Sequence, residues 1–378
     1  MFERLSSHRM LALKAIGYWF WLLPVALLPL SHYLSRGSAY ADAWAFLVPL
    51  AIFGLIPLLD WLIGRDPANP DEAEQVPILE RQNYYRVLTL ASVPVLLGVP
   101  VWAGWVMVAD APWSWIGHVG WILSTGIIMG GIGITVAHEL IHKDPALEQN
   151  AGGLLMAAVC YGGFKIEHLR GHHVNVSTPE DASSSRYGQS LYAFLPHAYR
   201  HNFSNAWALE AQRLKRKGLP ALHWRNELIA WYLISGLFLA CFTLAFGALG
   251  AAFFLGQSLV ALTLLEIVNY IEHYGLHRRK LDNGRYERTT PQHSWNSNFL
   301  LTNLFLFHLQ RHSDHHAHAK RRYQVLRHFE ESPQLPSGYA GMVVLALFPP
   351  LWRAVMDPRV RAYYAGEEHQ LSHAQTGP

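Results

Sequence analysis

Two short segments of the sequence carry histidines at spacings that suit metal binding. The first, HELIHK, places His138 and His142 four residues apart, and the second, EHLRGHH, places His168 and His172 at the same interval, with His173 adjacent. Residues four apart share one face of a helix, so each such pair can hold one ion. On an α-helix His173 points about 100° away from His172 and could serve a second ion, while the sequence leaves open which histidine serves which ion.

A third histidine segment, LQRHSDHH, carries His312, His315 and His316 at positions i, i+3 and i+4, which can all face one way on a helix. A further motif, NYIEHYGL, adds His273 at the end of an apolar run. One ion cannot use nine imidazoles, whereas nine divide naturally into sets of four and five. The pattern therefore favours two metal ions, with positions left open for oxygen.

The histidines alone do not name the metal, because imidazole suits zinc, copper and iron alike. HELIHK matches the HExxH pattern of zinc proteases, and this match by itself keeps zinc in contention. Zinc hydrolases, however, usually need three protein ligands and one water. The apolar surroundings favour redox iron that acts on a lipid-soluble substrate.

A carboxylate accompanies every histidine segment. Two divalent ions held by neutral imidazoles would carry about four uncompensated positive charges, which calls for anionic neighbours. We predict that these carboxylates are not ligands but orient the imidazoles and raise their basicity. The predicted set is Glu139, Glu167, Asp181, Glu272 and Asp314. Glu266 is a separate functional candidate, because it is an ionisable residue inside a predicted membrane span.

The composition indicates a membrane protein. Of the 378 residues, 51% are hydrophobic and 15% are charged, against about 25% charged in soluble domains. The net charge of +3, without a continuous basic stripe, argues against a nucleic-acid partner. The only two cysteines, Cys160 and Cys241, exclude a disulfide framework, a zinc ribbon and a four-cysteine iron–sulfur cluster.

Six apolar stretches are long enough to cross a hydrocarbon core of about 30 Å as helices. They cover approximately residues 12–34, 43–63, 87–109, 114–137, 228–248 and 250–270. The opposite loops contain only Arg36 as a basic residue, whereas basic residues such as Arg4, Arg9 and Lys14 gather on the other side. The positive-inside rule therefore places both termini and every long loop in the cytoplasm. The N-terminal stretch has no obvious cleavage site and is interpreted as a retained span.

The chain is thus predicted to be an all-α integral membrane protein, with six transmembrane helices and a cytoplasmic, histidine-rich catalytic region. Residues 1–137 hold four transmembrane helices, and residues 138–227 form a cytoplasmic region with the first two histidine segments. Residues 228–273 hold helices five and six, and residues 274–378 form a cytoplasmic C-terminal region with the third segment. All histidine segments then lie at one face of the membrane.

The fourth predicted span has a surface of small residues. It reads STGIIMGGIGITVAHEL, which includes Gly126, Gly130, Gly131 and Gly133. Close packing against another helix is the simpler interpretation. Room for a substrate beside the metal site is the alternative, and the sequence leaves both open.

Taken together, the motifs resemble those of a known superfamily. HELIHK, EHLRGHH and LQRHSDHH look like the three histidine boxes of the membrane-bound diiron desaturases, hydroxylases and monooxygenases, in the expected order across Ile134 to Ala317. NYIEHYGL is similar to the additional motif of the alkane 1-monooxygenases. The resemblance implies that the chain hydroxylates the terminal carbon of medium-chain alkanes with two non-haem iron ions and dioxygen.

Carried over motif by motif, the resemblance implies nine iron ligands. They are His138, His142, His168, His172, His173, His273, His312, His315 and His316. The family's usual electron donor is rubredoxin, which a rubredoxin reductase reduces with NAD(P)H. The other expected partners are dioxygen, membrane lipids and an alkane from the bilayer. The expected location is a bacterial-type inner (cytoplasmic) membrane, with the active site on its cytoplasmic side.

Selectivity for a terminal methyl group requires a narrow apolar channel, because secondary C–H bonds are weaker. The candidate lining residues are Leu55, Leu58 and Leu59 in the second span, and Ile127 and Ile134 in the fourth. For any one of them, ordinary helix packing is the simpler interpretation. Three basic groups could steer an acidic electron carrier or bind anionic lipid headgroups. They are Arg213, Lys215, Arg216 and Lys217; Arg278, Arg279 and Lys280; and Lys320, Arg321 and Arg322.

Three other functions fit part of the pattern. A xylene-type methyl monooxygenase shares all three histidine boxes, and a fatty-acyl desaturase usually spaces them differently and lacks NYIEHYGL. A metal transporter or another non-catalytic metal-binding membrane protein could also use histidine clusters. Such a protein is expected to place ligands along a path through the membrane, whereas these histidines are predicted to collect at one face.

Overall fold

The computed structural model describes residues 7–365, and these residues fold into helices joined by loops, without a β-strand. This confirms the predicted all-α class. Arg4, one of the basic residues used to orient the chain, lies outside the described residues, as does the C-terminal end of the predicted cytoplasmic region.

Four helices in the described range are long and apolar enough to cross a membrane. They are Arg9–Ser35, Asn83–Ala109, Trp115–Ile141 and Glu227–His273. A shorter apolar helix covers Leu47–Ile63. The remaining helices are Ala41–Trp44, Val76–Arg81, Ala146–Ala157, Gly163–Glu167, His173–Asn175, Leu191–Lys215, Leu300–Phe305, His312–Ala317, Tyr339–Ala346 and Pro349–Tyr363, with 3-10 turns at Pro291–His293 and Tyr323–Val325.

The longest helix, Glu227–His273, is folded back on itself. Within its 47 residues Gly247 has φ 66° and ψ −161°, a conformation that glycine adopts without steric cost. The rings of Phe238 and Phe254, on either side of this glycine, lie 6.3 Å apart. In a straight helix these positions would be separated by about 24 Å. The helix is therefore two antiparallel legs, and we call the part after Gly247 the second leg.

Three π-helical turns interrupt the apolar helices and the second histidine segment. They lie at Ala51–Leu55, Met129–Gly133 and His168–His172. A π-turn joins residues five apart by hydrogen bonds and so shifts the direction of every side chain that follows it. Such turns occur often at functional sites, and each of these three borders the same interior cavity.

Buried polar clamps hold the C-terminal part of the chain against the apolar helices. The guanidinium of Arg311 is buried and donates to the carbonyl oxygens of Leu326 at 2.6 Å and Asp66 at 2.9 Å. The backbone N–H of Thr302 donates to the Asp60 carboxylate at 3.1 Å. These clamps fix the residue directly before His312 and the helix that leads into the third histidine segment.

Candidate metal centre

All nine imidazoles singled out in the sequence come together in two adjacent groups. One contains His138, His142, His168, His173 and His315, and the other contains His172, His273, His312 and His316. Within each group, one possible ligand atom per residue lies within 4.8 Å of every other. We call them the five-histidine group and the four-histidine group.

Ends of helices position these side chains. His138 lies in the last turn of Trp115–Ile141, and His142 follows directly as its C-terminal cap. His273 is the last residue of the second leg. The short helix His312–Ala317 presents the third histidine segment to both groups. The centre thus forms where two long helices end and two short helical segments meet them.

The ring nitrogens within each group point at one another. In the five-histidine group, the Nε2 atom of His168 lies 3.0 Å from that of His142 and 3.1 Å from that of His173. In the four-histidine group, the Nε2 atoms of His312 and His316 are 2.8 Å apart. A neutral imidazole has one N–H and one lone pair, so converging nitrogens of the same type cannot all pair with each other.

Two further ring nitrogens are available to bind a metal ion. Among residues 7–365 the buried Nε2 atoms of His138 and His273 have no hydrogen-bond partner. A buried polar atom without a partner is unfavourable unless another group satisfies it. A metal ion in each group would bind these lone pairs, so the donors present fit two ions.

Burial also keeps most of the imidazoles in the form that binds metals. It lowers the pKa of His142, His168, His173, His312, His315 and His316 well below the usual range. These rings are neutral near pH 7 and have a free lone pair. His172 differs, because burial lowers its pKa but the charge and hydrogen bond of Asp181 outweigh that effect and raise it.

The second histidine segment is divided differently from the prediction. The spacing places His168 and His172 on one face of an α-helix, but His168 and His173 fall in the five-histidine group and His172 in the four-histidine group. The cause is the π-turn His168–His172, which pairs residues five apart in place of four. The prediction assumed a regular α-helix at this point and was wrong.

The third histidine segment is divided as well. His315 belongs to the five-histidine group, whereas His312 and His316 belong to the other. The three side chains face the centre, as their spacing predicts, but they reach different groups. One short helix therefore connects the two.

Two of the five predicted carboxylates contact an imidazole of the two groups. Asp181 accepts a hydrogen bond from Nδ1 of His172 at 2.9 Å, on the side of the ring away from the other nitrogens. Glu272 approaches Nε2 of His312 at 3.1 Å, on the side that faces the group. Asp181 is thus placed to orient a ring, and Glu272 lies beside the four-histidine group without belonging to it.

The other three carboxylates have different partners among the described residues. Glu139 pairs with Lys143 at 3.0 Å, and Asp314 pairs with Arg321 at 3.0 Å. Glu167 accepts from the Asn205 amide at 3.3 Å, and burial together with the charge of Asp181 raises its pKa to about 8. Asp314 also lies 2.9 Å from Nδ1 of His318, which belongs to neither group. The structure places these three carboxylates beside the segments but not against a ring nitrogen of either group.

Two features of the site had no signal in the sequence. The hydroxyl of Tyr339 donates to Glu272 at 2.6 Å, yet Tyr339 lies in a stretch without any recognisable motif. The intramembrane Glu266 is buried among Tyr161, Asn202 and Asn269, all of which donate to it. Only the two carboxylates could be singled out beforehand, because most of their donors, Tyr339, Tyr161 and Asn202, come from distant parts of the chain.

A largely apolar cavity leads away from the imidazoles. Its polar end is formed by His138, His168, His312, Glu272 and Tyr339. Apolar side chains from five helices form most of the remaining wall. They include Ile52, Phe53, Ile56, Ile127, Ile134, Leu264, Val268, Phe305, Leu306 and Val343. The cavity suits an apolar molecule that lies with one end toward the metal centre.

The predicted lining is correct for the helix Trp115–Ile141 and wrong for the shorter apolar helix. Ile127 and Ile134 line the cavity, but Leu55 and Leu58 are about half exposed on the outer surface. Leu59 packs against a separate apolar cluster. The π-turn Ala51–Leu55 changes which side of this helix faces inward, and a regular periodicity does not reveal it.

Both interpretations of the glycines in Trp115–Ile141 apply, each to different residues. A Cβ atom on Gly126 would collide with Val260, and one on Gly130 would lie 2.8 Å from the carbonyl oxygen of Ala261. These two glycines allow close helix packing. A Cβ atom on Gly131 would meet nothing within 4 Å, and Gly131 lines the cavity.

Comparison with known proteins gives consistent matches. A family model described as fatty acid desaturase matches residues 113–346. The chain is 75% identical to alkane 1-monooxygenase 2 of Pseudomonas aeruginosa, over 99% of this chain and 100% of that protein. It is 66% identical to alkane 1-monooxygenase 1 of the same organism, over 100% of this chain and 98% of that protein. Alkane 1-monooxygenase 2 of Alcanivorax borkumensis is 58% identical over 98% and 97% of the two chains.

Proposed function

This chain belongs to the fatty acid desaturase family, and we propose that it is a monooxygenase that hydroxylates the terminal methyl of medium-chain n-alkanes to 1-alkanols. The family membership confirms the resemblance drawn from the histidine boxes. The observation that carries the proposal is the cavity, because one apolar space ends on imidazoles of both histidine groups. An alkane has no polar group to bind, so shape must orient it.

We propose that the nine histidines hold two non-haem iron ions, five imidazoles on one and four on the other. When bound, the iron pair supplies the redox chemistry that activates dioxygen with two electrons. The protein's own contribution is to keep the rings neutral, oriented and shielded from water. Asp181 fixes the ring of His172, and Tyr339 fixes the carboxylate of Glu272.

The walls of the cavity perform the other task, which is selection of the terminal carbon. Apolar side chains exclude water and confine an alkyl chain along the helix Trp115–Ile141. A chain held in this way brings its methyl end to His138 and His168 first. Confinement thus favours the terminal C–H bond over the weaker secondary bonds.

We propose that the chain crosses a bacterial cytoplasmic membrane six times, with both termini and the site on the cytoplasmic side. The two antiparallel legs of Glu227–His273 support two crossings in place of one. The helix Leu47–Ile63 is short but apolar and supplies the remaining crossing. The division at residues 137, 227 and 273 follows from this topology, and the basic residues on one side support the orientation.

We propose rubredoxin, reduced by its reductase, as the electron donor, and the basic group Arg278, Arg279 and Lys280 as its docking region. These residues line a pocket that also contains Asp181, the partner of His172. Each of the three basic groups contains an ion pair, Arg279 with Glu287, Arg213 with Glu210 and Arg322 with Glu148. What supports the proposed region is that its pocket connects an acidic carrier to the four-histidine group through Asp181 and its hydrogen bond to His172.

The proposed function is tested by supplying purified, iron-loaded protein with rubredoxin, reductase and NADH, and then octane, toluene and a fatty acyl substrate separately. We expect 1-octanol, with NADH consumed in proportion. Benzyl alcohol without 1-octanol would show a xylene-type enzyme, and a new double bond in the acyl substrate would show a desaturase. Iron binding without oxygen consumption on any substrate would support a non-catalytic metal-binding protein.

A further inference from the structure

The helix Trp115–Ile141 provides a scale along the cavity. It contributes His138 at the polar end, and Ile127 is the lining residue of this helix farthest from His138, with Gly131 between them. At a rise of 1.5 Å per residue, Gly131 lies about 10 Å from His138 along the axis, and Ile127 about 16 Å. An extended alkyl chain advances about 1.3 Å per bond, because carbon–carbon bonds of about 1.5 Å zigzag along it. Gly131 is therefore beside about the eighth carbon from the reacting methyl.

Helix packing does not explain why glycine is present at position 131. Gly126 and Gly130 face the second leg, where a Cβ atom would collide with Val260 or Ala261. At Gly131 a Cβ atom would meet nothing, and glycine in the middle of a helix is less favourable than alanine. The missing side chain leaves free space in the cavity wall at this level.

We propose that Gly131 sets the upper length of the alkane that the cavity accepts. With glycine there, the cavity continues past about eight carbons and ends near Ile127, which accommodates about twelve. A larger side chain at position 131 closes the cavity at about eight carbons. This inference rests on the proposed alkane hydroxylation and adds a length limit and the residue that determines it.

The first test compares hexane and dodecane as substrates of the full-length enzyme and of Gly131→Val. We expect the ratio of kcat/KM for dodecane to that for hexane to fall by about tenfold or more, because buried methyl groups discriminate by that order. Gly131→Ala is expected to give an intermediate ratio. Gly98→Val is the matched control, because Gly98 also lies within a long apolar helix and a Cβ atom there meets nothing within 4 Å.

The second test measures occupancy without turnover. Gly131→Cys is treated with a small methanethiosulfonate reagent in the holoenzyme without the electron donor, and mass spectrometry quantifies modification of the peptide that contains the new cysteine. Dodecane is expected to slow the modification several-fold more than hexane, which is too short to reach position 131. The extent of modification does not depend on hydroxylation. The cysteine side chain is also smaller than that of valine.

The two tests separate failure of the inference from failure of the proposed function. If the native enzyme forms 1-alkanols but Gly131→Val keeps the native ratio, the length limit lies elsewhere and the inference is wrong. Equal protection of the cysteine by hexane and dodecane, or none by either, would also overturn it. If dodecane protects the cysteine but no alkane is hydroxylated, the length assignment stands and the proposed reaction fails.

Discussion

The two histidine groups are built from the same side chain but differ in the charges beside them. The four-histidine group has carboxylates in direct contact, Asp181 with His172 and Glu272 with His312. In the five-histidine group, the nitrogen contacts within residues 7–365 join imidazoles to one another. One group therefore compensates a cation with negative charge, and the other offers one more neutral donor.

The groups also differ in which cavity or pocket borders them. The apolar cavity ends on His138 and His168 of the five-histidine group, and on His312 of the other. The basic pocket reaches Asp181, which contacts the four-histidine group alone. If the proposed alkane and electron donor bind at these two places, substrate approaches between the groups and electrons enter through the four-histidine group.

Removal of one imidazole should produce the largest effects and should affect the two groups differently. His142→Ala leaves four imidazoles, the number that the other group uses, whereas His316→Ala leaves three. Loss of a residue that only orients a metal ligand typically lowers activity by about 10–100-fold. We expect the activity of both variants to fall by more than this. Iron per chain, measured by mass spectrometry, should fall further in His316→Ala. Equal iron content in both variants and the native enzyme would contradict the assignment.

The second effect concerns the carboxylate beside His172. Asp181→Asn keeps the size of the side chain but removes its charge, so we expect iron affinity or turnover to fall by about 10–100-fold. Mössbauer spectra should change for one of two iron components, because the carboxylate contacts one group. Asp144→Asn is the control, since Asp144 is exposed and paired with Lys320. An equal change in both components would show that the groups are not electrically distinct.

The third effect tests the route of electrons. Lys280→Glu in the basic pocket should slow turnover with rubredoxin by about tenfold at low ionic strength, because it reverses electrostatic steering. Added salt should reduce the difference, and iron content should stay unchanged. Lys217→Glu is the matched control in another basic group. If this control slows turnover equally, the donor does not dock at the pocket.

The smallest effect is expected from loss of the hydrogen bond that Tyr339 donates to Glu272. Tyr339→Phe removes the hydroxyl that donates to this buried carboxylate and should destabilise the fold by about 1–3 kcal/mol. Turnover should fall only a few-fold, with a change in the spectrum of the four-histidine iron. Tyr363→Phe, whose hydroxyl contacts a surface carbonyl, should leave both unchanged. An unaltered spectrum in Tyr339→Phe would show that Glu272 does not influence the metal.

The sequence was sufficient to identify the nine histidines and the apolar helices, because spacing and hydropathy are local properties. The division of His168, His172 and His173 between the groups was not predictable, since nothing in the residues marks the π-turn that divides them. The same reason explains why Phe53 lines the cavity in place of Leu55. The pairing of Glu139 with Lys143 was overlooked because the acid was considered only with its neighbouring histidine.

The π-turn Met129–Gly133 determines where this helix can lose one residue without moving the histidines that follow. A π-turn contains one residue more than an α-helical turn, so deletion of a single residue there would restore a regular helix. The helix would remain apolar and long enough to span the membrane. Four residues of α-helix turn the chain by about 400°, nearly the same angle as the five residues of the π-turn, so the residues after the deletion would keep their direction. His138 and His142 would then still face the centre, whereas deletion of one residue from a regular part of the same helix would rotate both by about 100°.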